Sequence, residues 1–272
     1  MKRERGQKQS NKMPKKKLLI ASDCFLPRWD GIARFLAELI PHIKKEYEVI
    51  VVAPDYKGSK IKIENVKIER IPVFGFKIGD FPPAKPSPKR IKGLVKEADI
   101  VFSQSIGPVG GLAMLYAKRL NKPLIAFMHS IEWELVPNSI SKCKKTIAMI
   151  VKKLAVYFYN KCSLIIAPSD DTAKLLKYSK VNVPMHVVPL GVDTARFRPA
   201  KDKEKAKKNL GINPSCTVIG FTGRIGREKD IPTLYKAFRF LQKKYDNLKL
   251  LIVGRGIDLK ELLGSTQGIK HI

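Results

Sequence analysis

Short apolar runs of four to seven residues alternate along this chain with stretches whose apolar residues recur at helical spacing. Runs read as buried strands cover residues 17–22, 47–53, 99–103, 124–128, 164–167 and 186–189, and helical patterns fill 32–44, 107–120, 141–162 and 170–177. Strand and helix taken in turn dictate a mainly parallel sheet, because parallel neighbours need a crossover and a helix is the usual one. Right-handed crossovers then place ligands beyond the C-terminal ends of the strands. The fold class is therefore α/β, with a doubly wound, Rossmann-like first domain. Residues 61–73 alternate apolar and polar, which suggests one or two exposed strands. Prolines at 82, 83, 86 and 88 mark a loop.

The rhythm breaks at 191–199, which has no clear period, and a charged helix at 201–208 ends at Gly211. It then restarts: strand 217–221, helix 231–244, strand 249–253, a helix near 258–263 and a short strand at 269–272. The expected organisation is a disordered basic tail over 1–14, a complete first domain over 15–195 and an incomplete second domain over 196–272. So few strands make a thin sheet with open edges, a poor stand-alone domain.

Composition narrows the function classes. With 272 residues, 44% hydrophobic and 28% charged, the chain is globular, and no run approaches the 18 apolar residues of a membrane span. The basic N-terminus passes directly into a strand, without the apolar region and small-residue site of a signal peptide. Four scattered cysteines (24, 143, 162, 216) match no metal or redox spacing and read as reduced core thiols of a cytosolic protein. The net charge of +29 points to anionic partners: nucleic acid, an anionic membrane surface or anionic substrates. Aromatics at 8%, without a stacking motif, disfavour nucleic acid.

Three motifs carry chemistry. In FTGRIGREKD (221–230), a strand, a glycine turn and a helix start meet three cations, Arg224, Arg227 and Lys229. Backbone N–H groups and a helix dipole with such cations suit a diphosphate; a basic surface turn is the plain alternative. Asp30-Gly31 opens the first helix, either as an N-cap with a turn glycine or as a close backbone approach to an anion. His129 stands at a strand end before Ser130, Glu132 and Glu134, a donor or a structural histidine. His42, His186 and His271 are read as structural. Gly107–Gly111 and Gly254-Arg255-Gly256 each fail the G-x-G-x-x-G spacing, and no P-loop is present, so neither a nicotinamide or flavin nor ATP hydrolysis of that type is expected. In 141–162, Ile147, Ile150, Val151, Leu154, Tyr157 and Phe158 form an apolar stripe beside lysines, which suits a core face or a membrane surface.

The succession DCFLPRWDGIARF, FMHSIEWE, APSD, VVPLGVDTARFRP, FTGRIGREKDIPTLYKAF and LLIVGRG resembles family 4 retaining glycosyltransferases of the GT-B fold, from about Lys17 onward. The first loop looks most like lipid-directed members, such as phosphatidylinositol mannosyltransferases and diacylglycerol glucosyltransferases. The resemblance implies that Arg224 and Lys229 hold the diphosphate of a GDP- or UDP-linked sugar, with Gly31 facing it across a cleft. His129 would point at the transferred sugar. No cofactor and no metal would be needed, since the two cations do that electrostatic work, and no carboxylate nucleophile is implied. The implied reaction moves a hexose from the nucleotide-sugar to a lipid-linked or glycan acceptor, with the protein peripheral at the cytosolic face of an anionic inner membrane. Family members continue to a segment with two glutamates eight positions apart that binds the donor. This sequence stops short of it, so a truncated second domain, weak donor binding and negligible transfer are expected. A basic nucleic-acid-binding protein and a non-catalytic glycosyltransferase remnant are the alternatives.

Overall fold

The computed structural model, described over residues 14–56, 61–77, 82–138, 143–256, 258–259 and 264, divides into two compact units, Met1–Leu190 and Gly191–Ile272. The expected basic tail (but for Pro14), most of the helix near 258–263 and the strand at 269–272 lie outside the described residues.

In the first unit, the order is β1 (Lys17–Ala21), α1 (Gly31–Ile43), β2 (Glu48–Pro54), β3 (Val66–Ile71), α2 (Pro88–Glu97), β4 (Ile100–Ser103) and α3 (Pro108–Arg119). There follow β5 (Leu124–Phe127), α4 (Glu132–Asn138), α5 (Lys144–Tyr159), β6 (Leu164–Ala167), α6 (Asp170–Tyr178) and β7 (Met185–Val187). The seven strands form one sheet, ordered β3-β2-β1-β4-β5-β6-β7, and every pairing is parallel. Strand order reverses between β1 and β4, so the switch-point crevice opens at their C-terminal ends.

Both faces of the sheet are covered, which is why its inner strands β1, β2, β4, β5 and β6 are largely apolar rather than alternating. Leu18, Ile20, Val49 and Val51 pack with Leu36 and Ile40 of α1 on one face. Leu19, Ala21, Ile50 and Val52 pack with residues of α2, α3 and α5 on the other. The alternating segment at 61–73 supplies a single edge strand, β3, with Ile71 fully buried.

Two helices depart from expectation. The proline-marked loop ends at Ser87, and Pro88 opens α2, because a first-turn proline lacks only an N–H that the helix would leave unpaired. Ile91, Leu94 and Val95 give α2 its buried stripe. The short α4 follows His129 where no helix was expected, and Trp133 anchors it in the core. The thiols also differ, since Cys162 and Cys216 are buried but Cys143 is exposed.

The second unit comprises α7 (Lys203–Asn209), β8 (Thr217–Thr222), a 3-10 turn (Arg227–Lys229), α8 (Ile231–Gln242) and β9 (Leu248–Val253). β8 and β9 pair in parallel, and Ile225, Ile231, Phe238, Leu250 and Ile252 form its core.

Two glycines of the first unit predict opposite responses to a methyl group. A Cβ at Gly110, in the first turn of α3, would stand 2.0 Å from the Ser105 carbonyl oxygen, whereas one at Gly93 in α2 meets nothing within 4 Å. Gly110→Ala should destabilise the first unit by roughly 1–3 kcal/mol through overpacking. Gly93→Ala should stabilise it by about 0.5–1 kcal/mol through helix propensity. Urea midpoints of the two variants measure both signs.

Candidate functional site

Each unit places a cluster of candidate site residues at the C-terminal ends of its strands. In the first unit the cluster grows from the loops after β1, β4 and β5. Asp23, two residues past β1, is half-buried and ringed by donors: its Oδ1 accepts from the Val109 amide at 2.9 Å, and its Oδ2 from the Gly110 amide at 3.1 Å and the Ser105 hydroxyl at 2.5 Å. The Asp23 amide in turn donates to Ser105 Oγ at 3.1 Å. Burial pushes the Asp23 carboxyl above its usual range, while the Ser105 hydroxyl and the amides at the start of α3 pull it down. Gly107 makes this cap possible, since a Cβ there would meet the carboxylate at 2.6 Å.

Asp30 caps α1, its Oδ1 accepting from the Ala33 amide at 2.9 Å and its Oδ2 pairing with Arg28 Nε at 3.0 Å. The N-cap reading of Asp30 therefore describes its hydrogen bonds. Gly31 beside it is exposed, and beyond its own neighbours a Cβ there would meet nothing within 4 Å among the described residues.

His129, just past β5, stacks on Phe127 with ring centroids 4.4 Å apart and meets Phe35 edge-on at 4.9 Å. Its Nε2 lies 2.8 Å from Gln104 Oε1. With Gln104 Oε1 as its acceptor, a neutral imidazole carries its proton on Nε2 and leaves Nδ1 a lone pair. Burial between the rings lowers the imidazole pKa to about 4, against a smaller upward pull from Asp30. Gln104 is itself buried directly after β4, and its Nε2 has no hydrogen-bond partner among the described residues.

Glu132 does not accompany His129 into the loop. It turns inward at the start of α4, where its Oε1 accepts the Tyr159 hydroxyl at 2.5 Å and its Oε2 has no partner among the described residues. Burial raises its pKa to about 7, against the opposing Tyr159 hydrogen bond. Glu134 is exposed on α4.

In the second unit the cluster is the loop between β8 and α8. Gly223, with φ of +156°, turns the chain out of β8, and Arg224 follows it, half-buried. Ile225 anchors the loop in the core, and its amide donates to the Arg255 carbonyl at 2.9 Å. Arg227 and Lys229 are exposed on the 3-10 turn, and Asp230, in the left-handed region at φ 46°, leads into α8. The glycines of 254–256 are explained here. A Cβ at Gly254 or Gly256 would stand 1.8 Å from the carbonyl oxygen of Gly223 or Ile225, respectively, so the two loops pack backbone to backbone. The structure thus gathers Arg224 and Lys229 on one loop, and Gly31 and His129 at the same end of the first sheet. The sequence reading missed Asp23 and Gln104. Their signal was position alone, within two residues of the ends of β1 and β4.

The two perturbed groups near His129 predict opposite pH trends. The His129 pKa is lowered in the folded state, so the unfolded chain binds more protons between about pH 4 and the free histidine value; stability gained there rises with pH. The Glu132 pKa is raised, so the folded chain holds the extra proton and its contribution falls as pH rises from about 4.5 to about 7. Glu132→Gln should therefore stabilise the protein at pH 8 by on the order of 1–3 kcal/mol, and much less at pH 4.5. Chemical denaturation at the two values measures this. For His129, ring-nitrogen NMR should show one neutral tautomer, protonated at Nε2, at every pH above about 5.

Comparison with known proteins places the chain in a lineage. Residues 29–196 match the profile of Glycosyltransferase Family 4, and residues 202–268 match that of glycosyl transferases group 1. The alpha-monoglucosyldiacylglycerol synthase of Streptococcus pneumoniae is 26% identical over 92% of this chain and 58% of its own length. A GDP-mannose-dependent alpha-(1-6)-phosphatidylinositol monomannoside mannosyltransferase of Mycolicibacterium smegmatis is 24% identical over 90% of this chain and 62% of its own length. The chain thus spans about three fifths of the length of these relatives. Among solved structures, Anabaena HepE in complex with UDP and glucose superposes with a TM-score of 0.69 at 18% identity, over 94% of this chain and 69% of that one. Sucrose-phosphate synthase from Thermosynechococcus elongatus gives 0.71 at 12% identity, over 95% and 70%. The fold is GT-B-like. With a family profile covering more than half of its residues, the chain belongs to glycosyltransferase family 4.

Proposed function

We propose that this chain binds a GDP- or UDP-linked hexose and serves its transfer, with retention of configuration, to a lipid-linked or glycan acceptor. The observation that carries the reading is the loop from Gly223 to Asp230, which sets Arg224 and Lys229 between a strand end and a helix start in a family 4 chain. A guanidinium and an ammonium there would hold the donor diphosphate and stabilise the negative charge that grows on it as the sugar leaves. Their charge is why neither a cofactor nor a metal ion enters the proposal.

In the first unit, Gly31 offers open space at the start of α1, where a phosphate could approach the backbone. His129, neutral and oriented by Gln104, would meet the transferred sugar through Nδ1 as an acceptor. Among the described residues no helix is long and apolar enough to cross a membrane. The surplus of basic residues supports work at an anionic surface instead, peripheral on the cytosolic face. The names of the relatives, two of which act in glycolipid synthesis, favour a lipid acceptor. The alternative of a nucleic-acid-binding protein has no support in these relatives.

GDP or UDP should raise the melting temperature of the chain, since a ligand that binds only the folded state stabilises it by about 1.4 kcal/mol at ten times its dissociation constant. Arg224→Ala should remove most of that shift. An unchanged shift in the variant would take Arg224 out of the site, and no shift with either nucleotide at millimolar concentration would overturn the reading.

A further inference from the structure

We propose that the outward face of α5 is a membrane-docking surface that lies against an anionic lipid bilayer. The inference rests on the membrane-face reading above and names the surface that performs it.

The apolar positions of α5 divide between two sides. Ala155 and Tyr159 are buried, and Val151, Val156 and Phe158 pack on the same core. Away from it, Met149, Ile150, Leu154 and Tyr157 keep 54, 50, 48 and 52% of their surface exposed. Ile150, Leu154 and Tyr157 follow one another at spacings of four and three, so they form a continuous stripe along the helix. Half of the sequence pattern that reads as a core face is therefore turned outward.

Its charges are of one sign. α5 contains no aspartate or glutamate; it carries Lys144, Lys145, Lys152 and Lys153, and Lys161 follows its end. Lys161 Nζ stands 3.9 Å from the centroid of the Tyr157 ring, at the tip of the apolar stripe. Lysine stems can lie along apolar surface while their ammonium groups reach headgroup depth. A helix with an apolar stripe beside lysines lies in the plane of a bilayer interface, its apolar side among the acyl chains.

The chemistry selects the occupant. Lysine-only charge in a protein of net charge +29 suits a densely anionic surface. Nucleic acid meets that condition too, but it offers no hydrocarbon to an isoleucine, a leucine and a methionine.

Cosedimentation of the chain with phosphatidylglycerol–phosphatidylcholine vesicles, and with phosphatidylcholine alone, tests the proposal. Salt-sensitive binding to the anionic vesicles and little to the neutral ones is expected. Lys153→Gln and Lys161→Gln should each weaken it roughly fivefold. Ile150→Ser/Leu154→Ser should weaken it at least about tenfold, because apolar area is no longer buried. Tyr178→Ser, at an 86% exposed position on α6, should bind as the parent does. Undiminished binding by the double serine variant, equal binding to neutral vesicles, or retention on RNA but not on anionic vesicles would each overturn the proposal. The nucleotide-induced thermal shift, measured on the same proteins, separates the two readings. Lost docking with an intact shift would overturn this surface alone, and intact docking without a shift would overturn the transferase reading alone.

Discussion

The carboxylate of Asp23 ties together the loops at the C-terminal ends of β1 and β4 in the first unit. Asp23 joins the loop after β1 to the loop after β4 through Ser105, and it caps α3 through the amides of Val109 and Gly110. These elements flank the point where strand order reverses, so a loop free to move there would leave α1, Gly31 and Gln104 without fixed positions. A carboxylate drawn partly out of water is stable there because amides and a hydroxyl surround it. That requirement fixes further residues in turn, since glycine at 107 makes room for the carboxylate and glycine at 110 lets α3 start against the Ser105 carbonyl. The lowered pKa of His129 comes from its own burial between Phe35 and Phe127, beside Gln104, whose backbone amide donates to the Ala21 carbonyl at 2.8 Å.

The second unit solves its loop problem with backbone rather than charge. Gly254 and Gly256 bring the turn after β9 against the turn after β8, leaving side chains at 224, 227 and 229 to carry the cations. The glycines that fail a dinucleotide pattern are thus accounted for by close packing.

Much of the fold was legible because buried parallel strands are apolar on both faces and stand out as runs. β1, β2, β4, β5 and β6 appear within two residues of their expected bounds. What escaped was local. Pro88 reads as a loop breaker in a run of prolines, yet it is tolerated at a helix start, and the stripe of Ile91, Leu94 and Val95 behind it went unread. Glu132 follows His129 by three positions in the sequence, but α4 turns it toward Tyr159. The stripe of α5 shows the reverse limit: periodicity reports an apolar face and is silent on what covers it. Of the candidate site, Asp30, Gly31, His129, Arg224 and Lys229 could be named from motif and resemblance. Asp23 and Gln104 could not, because their importance lies in contacts between strands far apart in sequence.

The central claim is that the loop from Gly223 to Asp230 holds the donor diphosphate. Hydrogen exchange of the chain with and without GDP or UDP tests it most directly, because it reads the amides themselves and needs no turnover. The account predicts slowed exchange concentrated at residues 223–231 when nucleotide is added. Binding that leaves those amides unchanged, with protection elsewhere, would contradict it.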